Sequence, residues 1–405
     1  MGEDSTIFRN DLVINEFCET FTRVFRGRLS AIRLLFWRFE DRGAGNLLLT
    51  INFARMFFSK KSSSYFIDAN EHAVMLARTS AGTAPFTIEE VRECPANDPT
   101  ALAEMVKLMQ PKKSATGYLH ANASIYPAKR VIRRQALEPK RLKEPEYLNE
   151  LMAQQLRIEP SKYVVAVIHA TDGADYDLAS GSQKEALFCG LPVEDLIAAQ
   201  DSLLAGGVYP ERVELGSVAV LGALADYLAG TKAKIPTLML EVGLDSTQSF
   251  IVTPAGVEAS RPIALGLDSM VPVVQKELGL KDEEAARRLF YSNTFDFTGM
   301  GALLVKRLMK ELQSSIGFYE VQTGQSVGQV LCTQLMPKLG WLESAIATGL
   351  GISSLRIEPA GWLMNRQITL TDSVAKTVQE TRWFGLLSLM TRYNTDHAIP
   401  AEEKK

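Results

Sequence analysis

Two short stretches of this 405-residue chain, about 170 residues apart, share one form. Tyr65-Phe66-Ile67-Asp68-Ala69-Asn70 precedes an apolar run over residues 73–78, and Leu238-Met239-Leu240-Glu241-Val242-Gly243 precedes another over residues 247–252. Each is an apolar run, an acidic residue, a turn and a second apolar run, the pattern of a β-hairpin. The turn is expected to end at positive φ, which Gly243 takes freely and Asn70 tolerates. Two copies of one hairpin predict a duplicated α/β fold, each half presenting a turn of backbone N–H groups of the kind that faces an anion.

The length exceeds that at which a single core keeps growing, so two or more domains are expected. A net charge of −3 shows no basic excess and disfavours binding to nucleic acid. Cys18, Cys94, Cys189 and Cys332 lack CxxC spacing and read as reduced structural thiols. His72, His120, His169 and His397 sit on separate elements without metal-type spacing. No apolar run reaches the roughly 18 residues of a membrane span, so a soluble intracellular protein is expected.

Residues 1–55 carry eight arginines and no lysine, whereas lysine is common from Lys60 onward. Their acidic residues argue against a transit peptide. Met56-Phe57-Phe58-Ser59-Lys60-Lys61 directly precedes the first strand, which marks Met56 as the expected natural start; the alternative is an amphipathic anchor over residues 25–39. Beyond this lies an α/β succession. Strands are expected at 65–67, 87–92, 118–125, 130–134, 163–169, 185–189 and 327–332. Helices are expected at 98–109, 144–155, 192–205, 217–228, 301–321, 341–348 and 372–390. The linker 230–234 divides a first half, 56–232, from a second, 233–393, and the polar tail 394–405 is expected to be disordered.

The order of these elements, with their hairpins, resembles the PilM family of pilus-assembly proteins and the related FtsA, members of the actin-like superfamily. The likeness covers about residues 57–392. Family members begin with basic residues and an Asp-Ile-Gly hairpin; here Ser59-Lys60-Lys61 precedes Asp68-Ala69-Asn70. The second phosphate motif appears as Glu241-Val242-Gly243 with Thr247, and the adenosine motif corresponds to Leu331-Cys332-Thr333-Gln334. Residues 130–185 match the small inserted α/β subdomain that the family carries in its first half. The resemblance implies a duplicated actin-like, ribonuclease H-like fold around a cleft for ATP with magnesium.

Position by position, that cleft departs from the family's pattern. Asp68 keeps the first acid, but Asn70 stands where glycine would let the backbone meet a phosphate. Glu241 replaces an aspartate and reaches about 1.3 Å further than the metal geometry expects. Gly243, Ser246 and Thr247 remain suitable as donors. Thr333 and Gln334 fill the slot that two glycines would leave for base and ribose, and Arg287 and Arg288 stand where the family places a glutamate and lysine. The expectation is therefore a degenerate site holding ATP weakly or not at all, with no catalytic residue and no resident metal.

Two further features read more plainly. Asp172, Asp175 and Asp177 lack the ligand spacing of a calcium loop, and Arg130, Arg133, Arg134, Lys140, Arg141 and Lys143 read as a charged face. The resemblance implies a cytoplasmic scaffold of a type IV pilus, peripheral to the inner membrane. Its partner would be the N-terminal tail of a PilN-like membrane protein, held in a groove near 130–135, 163–169 and 204–213. The alternatives are an active ATP-dependent switch and an FtsA-like membrane-tethered filament protein.

Overall fold

The computed structural model describes residues 65–110, 117–144, 146–176 and 184–393. The extension 1–55, the start at Met56, Asp177, His397 and the tail 394–405 lie outside the described residues.

Two sheets repeat one topology. In the first, strands β1 (Tyr65–Ala69), β2 (Ala73–Thr79) and β3 (Phe86–Pro95) run antiparallel in sequence; β4 (Leu119–Ile125) and β8 (Val208–Leu215) then extend the β1 edge in parallel. In the second, β9 (Thr237–Val242), β10 (Thr247–Thr253) and β11 (Gly256–Ile263) form the antiparallel part, and β12 (Gln329–Thr333) with β13 (Ser353–Ser354) the parallel part. A separate three-stranded sheet, ordered β5 (Val131–Ala136), β7 (Glu185–Pro192), β6 (Tyr163–Ile168), is inserted between β4 and β8. Its last strand runs past the expected limit of 185.

Helices cover these sheets where apolar spacing demands it. The helix Pro99–Met109 starts where Asp98 accepts the Ala101 amide at 2.9 Å, and buries Leu102, Met105, Val106 and Met109 on one face. The helix Gly216–Gly230 is apolar on more than one face because it lies between the two sheets. Leu221, Leu224 and Leu228 share one core with Phe66 of the first sheet and Phe250 and Val252 of the second.

The C-terminal part differs from expectation. The helix expected over 372–390 is three pieces: Asp372–Thr377, a 3₁₀ turn Thr381–Trp383, and Phe384–Thr391. Burial of Val374, Val378 and Trp383 against the same core turns the chain between the pieces. A strand β14 (Ile368–Leu370) pairs in parallel with β3, and Phe384–Thr391 packs on the helix Gly216–Gly230, so the end of the assigned second half closes the first sheet instead. The helix expected over 144–155 is a short α-helix, Tyr147–Leu151, running into a π turn, Met152–Leu156, that stops at Arg157 with φ 57°.

Candidate functional site

The two hairpin turns lie against each other, and neither uses positive φ: Asn70 and Gly243 are absent from the residues in that region. The Asn70 side chain shapes the first turn instead. Its Oδ1 accepts the amides of His72 at 2.9 Å and Ala73 at 3.0 Å, and its own N–H donates to the Ala73 carbonyl at 3.0 Å. In the second turn the Gly243 N–H donates to the Ser246 carbonyl at 2.9 Å. The next amide, Leu244, donates to Glu71 Oε2 at 2.9 Å, a carboxylate supplied by the opposite hairpin. Thr247 turns its hydroxyl to the Leu265 carbonyl at 2.7 Å, so it is engaged within its own half.

The two acidic residues are fully enclosed. Asp68 accepts the Ser124 hydroxyl on Oδ1, and its Oδ2 lies beside the Tyr126 hydroxyl without completing a well-directed hydrogen bond. The C-terminal helix covers it: a Cβ added at Gly385 would stand 2.6 Å from Asp68 Oδ2, which is why no larger residue fits there. Burial, with a smaller contribution from Glu241, pushes the Asp68 carboxyl up to about 6, against the Ser124 hydrogen bond and the neighbouring Tyr126 hydroxyl. The folded chain therefore holds this proton more tightly than the unfolded chain. Stability falls as pH rises from about 4 to about 6 and the penalty then stays constant. Asp68→Asn is expected to remove that slope and to add on the order of 2–3 kcal/mol at pH 8. Urea unfolding of both proteins across pH 4–8 tests it; parallel curves would reject the assignment.

Glu241 meets a cation. Its Oε2 accepts Arg130 Nη2 at 2.7 Å and the Ser217 hydroxyl at 2.6 Å, while Arg130 Nε donates to Ser217 Oγ at 2.9 Å and Nη1 to the Pro127 carbonyl at 3.1 Å. Only 8% of the Arg130 side chain and 1% of Glu241 are exposed, so this is a buried ion pair. Arg130 is thus no part of a solvated basic face. Arg134 leaves that face as well: it bonds Glu185 within the insert and Glu258 on β11. Neither role is legible locally, since Arg130 and Glu241 are 111 residues apart.

On β12, in register with Glu241, Thr333 is buried and Gln334 takes φ 64°, the left-handed conformation that a glycine would adopt without strain. Thr333 Oγ1 and Gln334 Nε2 are buried without partners, as are Asp68 Oδ2 and Glu241 Oε1. The neighbouring Cys332 amide donates to Glu343 at 2.8 Å. Arg287 pairs with Asp268 at 2.6 Å, and Lys338 donates to the Tyr291 carbonyl beside the tip of the first hairpin. Burial lowers the His72 imidazole there, Glu71 opposing and Lys338 adding to the shift. The expected positions Asp68, Asn70, Glu241, Gly243, Thr333 and Gln334 come together where the two hairpins meet; Glu71 joins them from the turn of the first hairpin, and Arg130 and Ser217 from segments that carry no motif.

Two sheets that share a five-strand topology, the first extended by β14, meeting across their hairpin turns and with a small insert in the first half, define the actin-like fold. Among solved structures the chain is similar to that of the PilM–PilN type IV pilus biogenesis complex, with 18% identity, a TM-score of 0.59, and 82% of this chain and 99% of that chain covered. At that identity the likeness establishes the fold. Fainter likenesses are to the ethanolamine utilization protein EutJ from Carboxydothermus hydrogenoformans (9% identity, 80% of this chain and 89% of that chain, TM-score 0.39) and an actin-like ATPase-fold protein from Bacteroides thetaiotaomicron (8%, 82% and 97%, 0.40). No protein-family model matches the chain, and no curated protein matches it by sequence.

Proposed function

We propose that this chain is an actin-like docking protein of a type IV pilus or related inner-membrane assembly machine. It holds the N-terminal tail of a PilN-like membrane protein, and its cleft takes no nucleotide. The fold shared with PilM, whose solved structure is a complex with PilN, supports the choice of machine. Among the described residues no helix is long and apolar enough to cross a membrane, so attachment through a partner suits the chain.

The observation that carries the docking role is the edge of the insert. Strand β6 pairs with β7 on one side, and on the other the segment 174–176 covers only its end, the Tyr176 amide donating to the Val167 carbonyl at 3.0 Å. Among the described residues the stretch 163–166 keeps its outer side for an added strand, and Val164 and Ala166 are partly exposed against the same core as Ala199 and Val213. An extended peptide laid along β6 gains backbone hydrogen bonds and places apolar side chains on that shelf. Calorimetric titration with a synthetic N-terminal tail of the PilN-like protein from the same genome is expected to give micromolar binding. Val164→Asp, which puts a charge on the shelf, is expected to weaken it more than about tenfold. Absence of binding to wild type would reject the reading.

The cleft residues do not fit magnesium and a triphosphate. What supports this is that the hairpin amides already have acceptors, Asn70 Oδ1 and Glu71 Oε2, and that a guanidinium already neutralises Glu241. A second reading, an ATP-dependent switch, is favoured by retention of Asp68 and by its orphaned Oδ2. Titration with labelled ATP and magnesium separates them: micromolar binding lost in Asp68→Ala would establish the switch.

A further inference from the structure

We infer that the chain supplies its own ligands across the cleft: Glu71 as the anion and Arg130 as the cation hold the two halves closed with nothing bound. The inference rests on the reading of the cleft as free of nucleotide and adds what takes its place.

The charges are arranged as a bound anion and its counter-ion would be. Glu71 reaches from the first hairpin to the Leu244 amide of the second, across 173 residues of sequence. Arg130, rooted by the Pro127 carbonyl beside β4, delivers its guanidinium to Glu241 on β9, with Ser217 bonded to both. Ser217 is fully buried and Glu241 nearly so, so opening the cleft strips these groups of partners that they have no other way to replace within the fold. A hinge that closes on a ligand needs an open state of comparable free energy. Here the closed state is stabilised by charge-assisted bonds inside the chain itself.

The insert fastens the same two halves a second time. From β5, Arg134 donates to the carbonyls of Val257 and Glu258, each at 2.9 Å, and to the Glu258 carboxylate at 2.8 Å. The Val257 amide donates in return to the Ala170 carbonyl at 2.8 Å. Because Arg130 stands directly before β5, the cleft clasp and the insert that offers β6 to a partner move as one body. A closed cleft therefore presents a docking groove of constant shape.

The test uses the full chain with spin labels at Lys107→Cys and Glu277→Cys, exposed positions in the first and second halves, and Cys18→Ser; Cys94, Cys189 and Cys332 are buried. The ligand-free protein is expected to give one narrow distance distribution that Mg-ATP leaves unchanged. Glu71→Ala is expected to add a longer component and to speed exchange of the Leu244 amide roughly tenfold. Glu71→Gln, which keeps shape and an acceptor but no charge, is expected to fall between the two and serves if the alanine variant does not fold. A broad ligand-free distribution in wild type, or narrow distributions in both variants, overturns the clasp. A wild-type distribution that narrows only on adding Mg-ATP overturns the nucleotide-free reading with it; one that is broad and indifferent to ATP overturns the clasp alone.

Discussion

Arg130→Met is expected to lower the free energy of unfolding by about 3–5 kcal/mol, the cost of leaving a buried carboxylate without its counter-ion. The loss falls on Glu241, which is 1% exposed, keeps only the Ser217 hydroxyl in the variant, and lies near enough to Asp68 for the two acids to repel. The chain's remedy is to protonate one of the pair, which shifts the penalty into its pH dependence. Removing both ions in Arg130→Met/Glu241→Leu is expected to recover most of the loss, because apolar replacement of a buried pair is often neutral. Urea unfolding of wild type, both single variants and the double variant at pH 8 completes the cycle. A single variant within about 1 kcal/mol of wild type would show that the pair is solvated and the clasp weak.

Gly256→Ala is expected to be the most damaging small substitution, costing about 3 kcal/mol or more and lowering the melting temperature by roughly 5–10 °C. Two independent constraints meet at this residue. Its φ is +116°, where a side chain is strained, and an added Cβ would stand 2.1 Å from the Ala170 carbonyl and 2.6 Å from Thr171 Cα. Both obstacles are backbone, so no rotamer change relieves them. The displaced segment carries the Val257 to Ala170 hydrogen bond that ties the insert to β11, so peptide affinity is expected to fall along with stability. Gly317→Ala is the control: its Cβ would meet nothing, and on a helix the change is expected to be neutral or stabilising by about 0.5–1 kcal/mol. Equal melting temperatures for Gly256→Ala and wild type would refute the close approach.

Much of the fold was legible because its signals are local. A continuous apolar run followed by an acid marks β1 and β9, and Asp98 before Pro99 marks a helix start that the Ala101 amide confirms. Asp68, Asn70, Glu241 and Gly243 followed from the same hairpins, whereas Thr333 and Gln334 came only from the resemblance to the family's motifs. The turn conformation was not legible: an Asn side chain that captures two amides and one that tolerates positive φ look alike in sequence.

By itself, then, the sequence determined a duplicated pair of hairpins and the alternation of strands and helices around them, since each depends on residues close together in the chain. Only the tertiary structure decided that Glu71 caps Leu244, that Arg130 leaves its basic neighbours to neutralise Glu241, and that the last helix returns to cover Asp68. These partners are brought together by the packing of both sheets around the helix Gly216–Gly230. A charged side chain in a local run looks the same whether it faces water or a buried acid a hundred residues away, and the cost of leaving that acid unpaired exists only once water has been excluded.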